Sequence, residues 1–257
     1  MDKNNFDLSI ILPALGLGNK ITGNLALVKD FMAKSMLNTS YELIVVAAKD
    51  DVNTAAIAMQ SINAFDKNQL KVLSPGAKVG KGRDVAAGFA VATGKIQLFT
   101  DGDLAIPLIN IKKAYDFLQN EDKSEECGAV FGVRVAKHDN FARKFVSSVG
   151  NVVTRILFLT RLTDLQCGFK AFRQDVAKLA FKDLKTKGWA FDVEVFAKLQ
   201  NANIKVHPLK ITEWRNDNDH LSGENIAAAS VKSLFEMIYI RFANFSLNGL
   251  LRKLHIK

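Results

Sequence analysis

The feature that most restricts the fold is the regular alternation in the first half of the chain. Short β-branched runs take turns with segments of helical spacing, the pattern of βαβ units on a mostly parallel sheet. Leu8–Leu12 reads as a buried strand stopped by Pro13, and a helix follows from about Thr22 to Met36. Glu42–Val46 is a second strand and Asn53–Asn63 a helix. Leu70–Leu73 is a third strand, ended by Ser74-Pro75-Gly76. Gly82–Thr93 then reads as a helix and Ile96–Thr100 as a strand running into Asp101-Gly102-Asp103. Pro107 sits where a first helical turn tolerates proline, and Ala129–Val133 is a further strand.

The second half is less regular. Phe145, Val149, Val152, Ile156 and Leu159 recur at helical spacing, which predicts an amphipathic helix over Phe141–Leu159. Gly168–Phe172 and Ile204–Ile211 read as strands, the latter interrupted by Pro208, with helices at Val176–Phe181 and Phe191–Leu199. From Ser222 onward the pattern is helical. The expected organisation is one α/β domain over residues 1–221 and a helical extension over 222–257.

Composition narrows the classes. With 48% hydrophobic and 24% charged residues, 257 residues can bury a real core. Two cysteines, Cys127 and Cys167, support neither a disulfide framework nor a four-ligand zinc site, and point to a reducing compartment. The start of the chain does not read as a signal peptide, and no apolar run reaches the ~18 residues of a spanning helix. The net charge of +9 favours anionic partners, but neither interleaved aromatics nor a recognisable module speaks for nucleic acid.

Three features carry chemistry. Asp101 and Asp103 stand one residue apart after an apolar strand, where open α/β sheets place their ligands. Two hard-oxygen carboxylates there suit Mg²⁺ or Mn²⁺ and, through it, a diphosphate leaving group; a plain polar turn is the ordinary alternative. Gly80-Lys81-Gly82 opens a helix and would offer an anion backbone N–H groups and an ammonium, or be only a helix-entry turn. It is neither a P-loop nor a dinucleotide fingerprint, because no Ser or Thr follows the lysine and no Gly-x-Gly-x-x-Gly is completed. The histidines His138, His207, His220 and His255 are scattered and fit no ligand spacing.

Taken in order, Ile11-Leu12-Pro13-Ala14, Gly80-Lys81-Gly82 and Leu98-Phe99-Thr100-Asp101-Gly102-Asp103-Leu104 resemble family-2 glycosyltransferases. Phe131-Gly132-Val133-Arg134, Thr163-Asp164-Leu165-Gln166-Cys167-Gly168-Phe169-Lys170 and Gly188-Trp189-Ala190-Phe191-Asp192-Val193-Glu194 narrow the likeness. That series is similar to the dolichyl-phosphate glucosyl- and mannosyltransferases and bacterial polyprenyl-phosphate relatives, over about residues 7 to 215. The resemblance implies a GT-A fold for nucleotide-diphospho-sugars, with a mostly parallel central sheet flanked by helices and C-terminal amphipathic helices. It implies inverting transfer of a hexose from a nucleotide sugar to a polyprenyl phosphate. Asp101 and Asp103 would hold the metal and diphosphate, and Pro13, Ala14, Gly80, Lys81 and Gly102 would line the donor pocket. Arg134, with Arg143, Lys144, Gln166 and Asp192, would serve the acceptor; Asp164 and Gln166 would lie near the reaction centre, with Asp192 and Glu194 at its rim.

A phosphate acceptor is already an anion, so its attack needs little general-base help. Basic amphipathic stretches at Phe141–Leu159 and Ser230–Lys257 suit an anionic membrane surface, here the cytoplasmic face, or packing on the domain, or a homo-oligomer contact.

Three departures stand out, one of them the Trp214-Arg215-Asn216-Asp217 region, which lacks the family's usual small-residue Ser-Lys ending. Pro13 leads into Ala14-Leu15-Gly16-Leu17-Gly18-Asn19 rather than an Asn-Glu motif. Val46 leads into Ala47-Ala48-Lys49-Asp50-Asp51, where relatives place a base-reading aspartate. Asp50 or Asp51 from a shifted loop would have to substitute. This leaves two further readings: a transferase acting on a saccharide or lipid hydroxyl, with Asp164 or Asp192 as base, and a lapsed homologue that only binds.

Overall fold

The computed structural model describes residues 6–48, 51–76, 80–120, 127–135, 160, 162, 164–215 and 235–240. Five elements repeat strand–helix in the expected order: β1 (Leu8–Pro13), α1 (Lys20–Ser35), β2 (Tyr41–Val46), α2 (Val52–Gln60) and β3 (Leu70–Leu73). They continue with α3 (Lys81–Val91), β4 (Ile96–Thr100), α4 (Ile109–Gln119), β5 (Cys127–Arg134) and β6 (Phe169–Arg173). The remainder is α5 (Gln174–Phe181), α6 (Phe191–Asn201) and β7 (Lys205–Ile211). Residues 235–240 are helical, while the stretch 141–159 and the rest of the expected extension lie outside the described residues. Among the described residues no helix is long and apolar enough to cross a membrane.

The seven strands form one sheet in the order β3-β2-β1-β4-β6-β5-β7. β3, β2, β1 and β4 run parallel, so all four deliver their carboxyl ends to one edge. β6 runs antiparallel to β4 and to β5, and β7 parallel to β5. That reversal brings the start of β6 and the ends of β5 and β7 to the same edge, because Thr100 pairs with Phe169 and Arg134 with Ile211. Pro208 is tolerated inside β7 because that strand lies at the sheet margin, where the ladder bond it cannot donate is dispensable.

Both faces of the sheet are covered. Leu8, Ile10 and Leu12 of β1 pack with Ile21, Leu25, Val28 and Met32, a helical stripe on α1. On the opposite face, Ile11 and Phe99 pack with Val85 and Phe89 of α3 and with α5 and α6. Phenylalanines fill much of this second layer: Phe89 stacks on Phe181 at 3.8 Å between ring centroids and meets Phe172 edge-on at 5.6 Å.

At the amino end of the parallel strands a buried polar knot ties four segments together. The Glu42 carboxylate accepts from Ser9 Oγ at 2.6 Å, Thr93 N at 2.7 Å and Lys71 Nζ at 2.5 Å. Gly94 N donates to Ser9 Oγ at 2.8 Å. Burial alone would raise the Glu42 carboxyl, but these donors, led by Lys71, hold it below the usual glutamate range. The knot fixes the sheet from beneath and leaves the opposite edge for chemistry.

Candidate active site

β4 carries Asp101 to the shared edge, and the turn after it is held from three sides. Asp101 N donates to Gly168 O at 3.1 Å and Gly102 N to Pro13 O at 3.1 Å. Asn24 Nδ2 of α1 donates to Gly102 O at 2.7 Å. Beyond the acid pair, Arg215 Nη2 donates to the Asp103 and Leu104 carbonyls at 3.0 and 3.1 Å. Asp103 Oδ1 accepts from Ala105 N at 3.0 Å, and Leu104 takes the left-handed conformation at φ +53°. A bulky residue is costly there, and the clamps on both sides hold it. A Cβ at Gly168 would stand 2.1 Å from Asp101 Oδ2, so the Asp101 carboxylate keeps this orientation only beside a glycine. Pro13 and Ala14 thus frame the acid turn, Pro13 through its carbonyl and Ala14 by close packing against Gly102.

A cation already faces the first acid. Lys81, the first residue of α3, places Nζ 2.5 Å from Asp101 Oδ1, with Lys81 side-chain exposure at 14% and Asp101 at 35%. Its ammonium lies 5.8 Å from the Phe99 ring centroid and 5.4 Å from that of Trp189. Burial works against this charge, yet Asp101 and then Asp192 hold the ammonium above the ordinary lysine range. Gly80 and Gly82 are there for packing: a Cβ on Gly80 would meet Lys187 O at 2.3 Å, and one on Gly82 would meet Phe191 Cβ at 2.6 Å. The expected backbone cradle is partly spent, because Arg83 N donates to Lys187 O at 3.3 Å. What faces the acid pair from this helix is the lysine side chain.

The third group lies where β5 ends. Arg134 grips Asp164 with Nε at 2.7 Å and Nη2 at 2.9 Å, while its backbone N donates to the same carboxylate at 3.1 Å. The guanidinium stacks over Trp214 at 5.3 Å. Burial opposes the Arg134 charge, and Asp164 more than compensates, keeping it firmly cationic. A cavity of about 350 Å³ opens beside it, between the acid turn and the segment after β7; Leu27, Leu104, Pro107, Leu108, Trp214 and Arg215 line it.

Two residues expected at the rim are instead buried beneath the site. Asp192 pairs with the fully buried Lys170, 2.7 Å between Oδ1 and Nζ, and Lys170 also donates to Cys167 O at 2.8 Å. Burial pushes the Asp192 carboxyl up, against the pull of Lys170 and Lys81. Glu194 accepts from Lys185 N at 3.0 Å and Thr186 N at 2.7 Å, anchoring the loop that leads to Trp189. A buried carboxylate needs such donors, which is why neither acid reaches the surface. Gln166 is exposed, and Arg143 and Lys144 lie outside the described residues. Cys167 is buried and its thiol is pushed up to about 12, so it packs as a small apolar group. Among the described residues the one histidine, His207, stacks on Phe117.

The shifted-loop aspartate is also occupied. Asp51 caps α2, Oδ1 accepting from Thr54 N at 3.3 Å, and Oδ2 accepts from Gly16 N at 2.6 Å. It therefore joins the loops after β1 and β2 to each other; Asp50 lies outside the described residues. Sequence reasoning gave no role to Lys170, Trp189 or Trp214. Lys170 and Trp189 lie within the quoted motifs and Trp214 beyond them, but nothing in spacing says which side chain turns inward.

Among the described residues no cluster of three or more His, Cys, Asp or Glu side chains could cage a metal alone. Two carboxylates do fit a divalent ion completed by diphosphate and water oxygens, as Mg²⁺-type sites are. The Lys81 ammonium on Asp101 is a stand-in showing that the turn attracts positive charge.

A seven-stranded sheet with this reversal and an acid pair at the end of β4 defines a glycosyltransferase of the GT-A class. The fold matches glucosyl-3-phosphoglycerate synthase from Mycobacterium tuberculosis, solved with Mn²⁺, UDP-glucose and phosphoglyceric acid, at a TM-score of 0.67 and 16% identity, over 93% of this chain and 81% of that one. It matches mannosyl-3-phosphoglycerate synthase from Rubrobacter xylanophilus at 0.67 and 14%, over 94% and 77%. In sequence, the chain is 26% identical to a dolichyl-phosphate beta-glucosyltransferase of Dictyostelium discoideum over 93% of its own length and 75% of the relative's. The Saccharomyces cerevisiae enzyme of the same name is 24% identical over 94% and 76%. The family model for glycosyl transferase family 2 matches residues 9–180, from β1 into α5, and the chain belongs to that family.

Proposed function

We propose that the chain transfers glucose from a nucleotide-diphosphate sugar to a polyprenyl phosphate, with inversion, at a membrane surface. The carrying observation is the likeness to dolichyl-phosphate beta-glucosyltransferases along 93% of the chain, joined to a sheet edge that carries an acid pair with the Lys81 ammonium and, beyond Leu104, an apolar-walled cavity. Asp101 and Asp103 hold Mg²⁺ or Mn²⁺, which supplies charge neutralisation to the departing diphosphate. Lys81 adds a positive charge on the donor side, and Pro13, Ala14 and Gly102 shape the floor. An acceptor phosphate oxygen attacks the anomeric carbon, the bond from that carbon to the diphosphate breaks, and the nucleoside diphosphate leaves. Arg134 retains donors beyond the two spent on Asp164, enough to orient a phosphate. The cavity next to it suits the apolar chain, and Gln166, Arg143 and Lys144 are assigned to the acceptor side.

A hydroxyl acceptor would need a base. Asp164 is gripped by Arg134 and Asp192 is sealed against Lys170, which favours the phosphate acceptor. Membrane action draws support from a basic, aromatic face beside the donor lip. Trp189, Phe235 and Tyr239 are 49%, 67% and 61% exposed. Lys182, Lys185 and Lys187 are exposed on the loop carrying Trp189. The assigned organisation is a catalytic unit over 1–221 and an interfacial extension over 222–257, on the cytoplasmic face. The test incubates the protein with UDP-glucose and other nucleotide sugars, undecaprenyl or dolichyl phosphate, and Mn²⁺ or Mg²⁺. Glucosyl-phosphoprenol that disappears in Asp103→Ala is expected. Tight lipid binding without turnover of any donor would refute transfer and leave the lapsed homologue.

A further inference from the structure

The Lys81–Asp101 pair creates a conflict that the site must resolve. The same carboxylate cannot hold an ammonium at 2.5 Å and a divalent ion at a bonding distance near 2 Å on the same oxygen without mutual repulsion. Asp101 is the lysine's closest anion. The Lys81 side chain is 14% exposed, flanked by Phe99 and Trp189, and the carboxylates within its field are Asp101, Asp192 and Asp103. Asp192 is already paired with Lys170 at 2.7 Å, with which Lys81 would have to compete. Asp101 in turn is pinned: its backbone bonds Gly168, and Gly168 leaves its carboxylate no room on that side. The group that yields is the long lysine side chain.

We propose that Lys81 is a built-in counter-ion for Asp101, released onto the donor diphosphate when a divalent cation takes the carboxylate, so that metal and nucleotide bind cooperatively. This rests on the assignment of Asp101 and Asp103 to a metal diphosphate. With no nucleotide present, metal entry separates the ammonium from its closest anion, which is unfavourable. With a diphosphate present, the displaced ammonium gains an anionic partner, so each ligand strengthens the other by the same factor. The site thereby resists free metal and loads with metal and donor together. A lysine that merely lined the pocket would add to nucleotide affinity alone and leave metal affinity untouched.

The experiment titrates Mn²⁺ into the full chain, reading free Mn²⁺ by its electron paramagnetic resonance signal, with and without UDP as the probe. Lys81→Met keeps the apolar stem and removes the charge; Lys34→Met, on the exposed face of α1, controls for net charge. Circular dichroism checks folding. In the wild type, UDP is expected to tighten Mn²⁺ binding at least tenfold. In Lys81→Met, Mn²⁺ alone is expected to bind about tenfold tighter than to the wild type, because a buried like charge is gone. UDP should then tighten Mn²⁺ binding by a clearly smaller factor than in the wild type, the remainder coming from diphosphate oxygens on the metal itself. A purely structural role for Lys81 predicts the opposite sign, weaker Mn²⁺ binding in the variant. Weaker or unchanged Mn²⁺ binding in Lys81→Met, or undiminished coupling to UDP, would overturn the proposal. Because no transfer is measured, this result stands apart from the question of the acceptor. Should Asp103→Ala leave Mn²⁺ binding intact, the metal assignment itself would fall.

Discussion

Gly168→Ala is the sharpest single test of how the acid pair is positioned. The new Cβ would stand 2.1 Å from Asp101 Oδ2, 2.5 Å from Cγ and 2.9 Å from Oδ1, all well inside van der Waals contact. The obstructing atoms form the end of a short side chain rather than backbone, so the chain relieves the clash by turning the carboxylate. An off-rotamer χ costs ~0.5–1.5 kcal/mol, and loosening the partly screened Asp101–Lys81 pair adds a fraction of that, so stability should fall by about 1–2 kcal/mol. For a chain of this size that is a Tm drop of roughly 2–8 °C. Activity should fall far more, because a ~1 Å misplacement at a reacting centre can cost ~100-fold. Gly88→Ala supplies the contrast: its Cβ would meet Ile11 Cγ2 at 2.4 Å in the core, remote from the edge. It should lower Tm at least as much and leave kcat of the folded fraction within about threefold. The assays are thermal unfolding by circular dichroism and glucosyl-phosphoprenol formation at saturating donor. Gly168→Ala with wild-type kcat, or with kcat falling only in step with the folded fraction, would refute the positioning of Asp101 by the start of β6.

The buried knot under the sheet predicts a pH signature. The Glu42 carboxyl is held below its unfolded value, so its stabilisation is complete above about pH 4.3 and is lost as pH falls through the folded value. Glu42→Gln should cost about 2 kcal/mol near neutral pH, with the gap to wild type closing in acid; a pH-independent gap in unfolding experiments would contradict the ionised knot. Cys167, with its thiol at about 12, should resist alkylation at pH 8 in the native state, while half-buried Cys127 reacts first by peptide mass mapping. Cys167→Ala should retain transfer activity, and its loss without loss of fold would reopen a role for the thiol.

Much of this architecture is legible in sequence because its causes are local. Strands β1, β2 and β4 are mostly apolar runs buried on both faces; Pro13 closes β1, and the Ser74-Pro75-Gly76 turn follows β3. Asp101 and Asp103 follow from that grammar, since a carboxylate just past a parallel strand must sit at the ligand edge. What spacing cannot encode is the direction of a side chain whose partner is far along the chain. Asp192 and Glu194 read as polar residues at the start of a helix, yet one answers a lysine on β6 and the other caps the preceding loop. Arg134 and Asp164 are likewise 30 residues apart and meet only because β5 and β6 run antiparallel.

The same distinction bears on the altered loop after β2. A base-reading carboxylate must keep its oxygens available to a ligand, whereas Asp51 has one oxygen on the α2 cap and the other on Gly16 N. Thr54 reinforces the arrangement by accepting from Gly18 N at 2.8 Å. The loops after β1 and β2, which flank the donor side of the sheet, are therefore latched together through side chains rather than opened for a base. Ala47 and Ala48, fully buried between them, bring no polar group to replace it. On the proposed function, donor affinity comes chiefly from the diphosphate, to which Asp101, Asp103 and Lys81 are assigned, and less from the nucleobase. Since a site lacking a base-directed hydrogen bond cannot reject the analogue that lacks its partner, donors differing only in their base should be used with similar kcat/KM, within about tenfold. A preference for one base exceeding a hundredfold would mean that a residue outside this latch reads it.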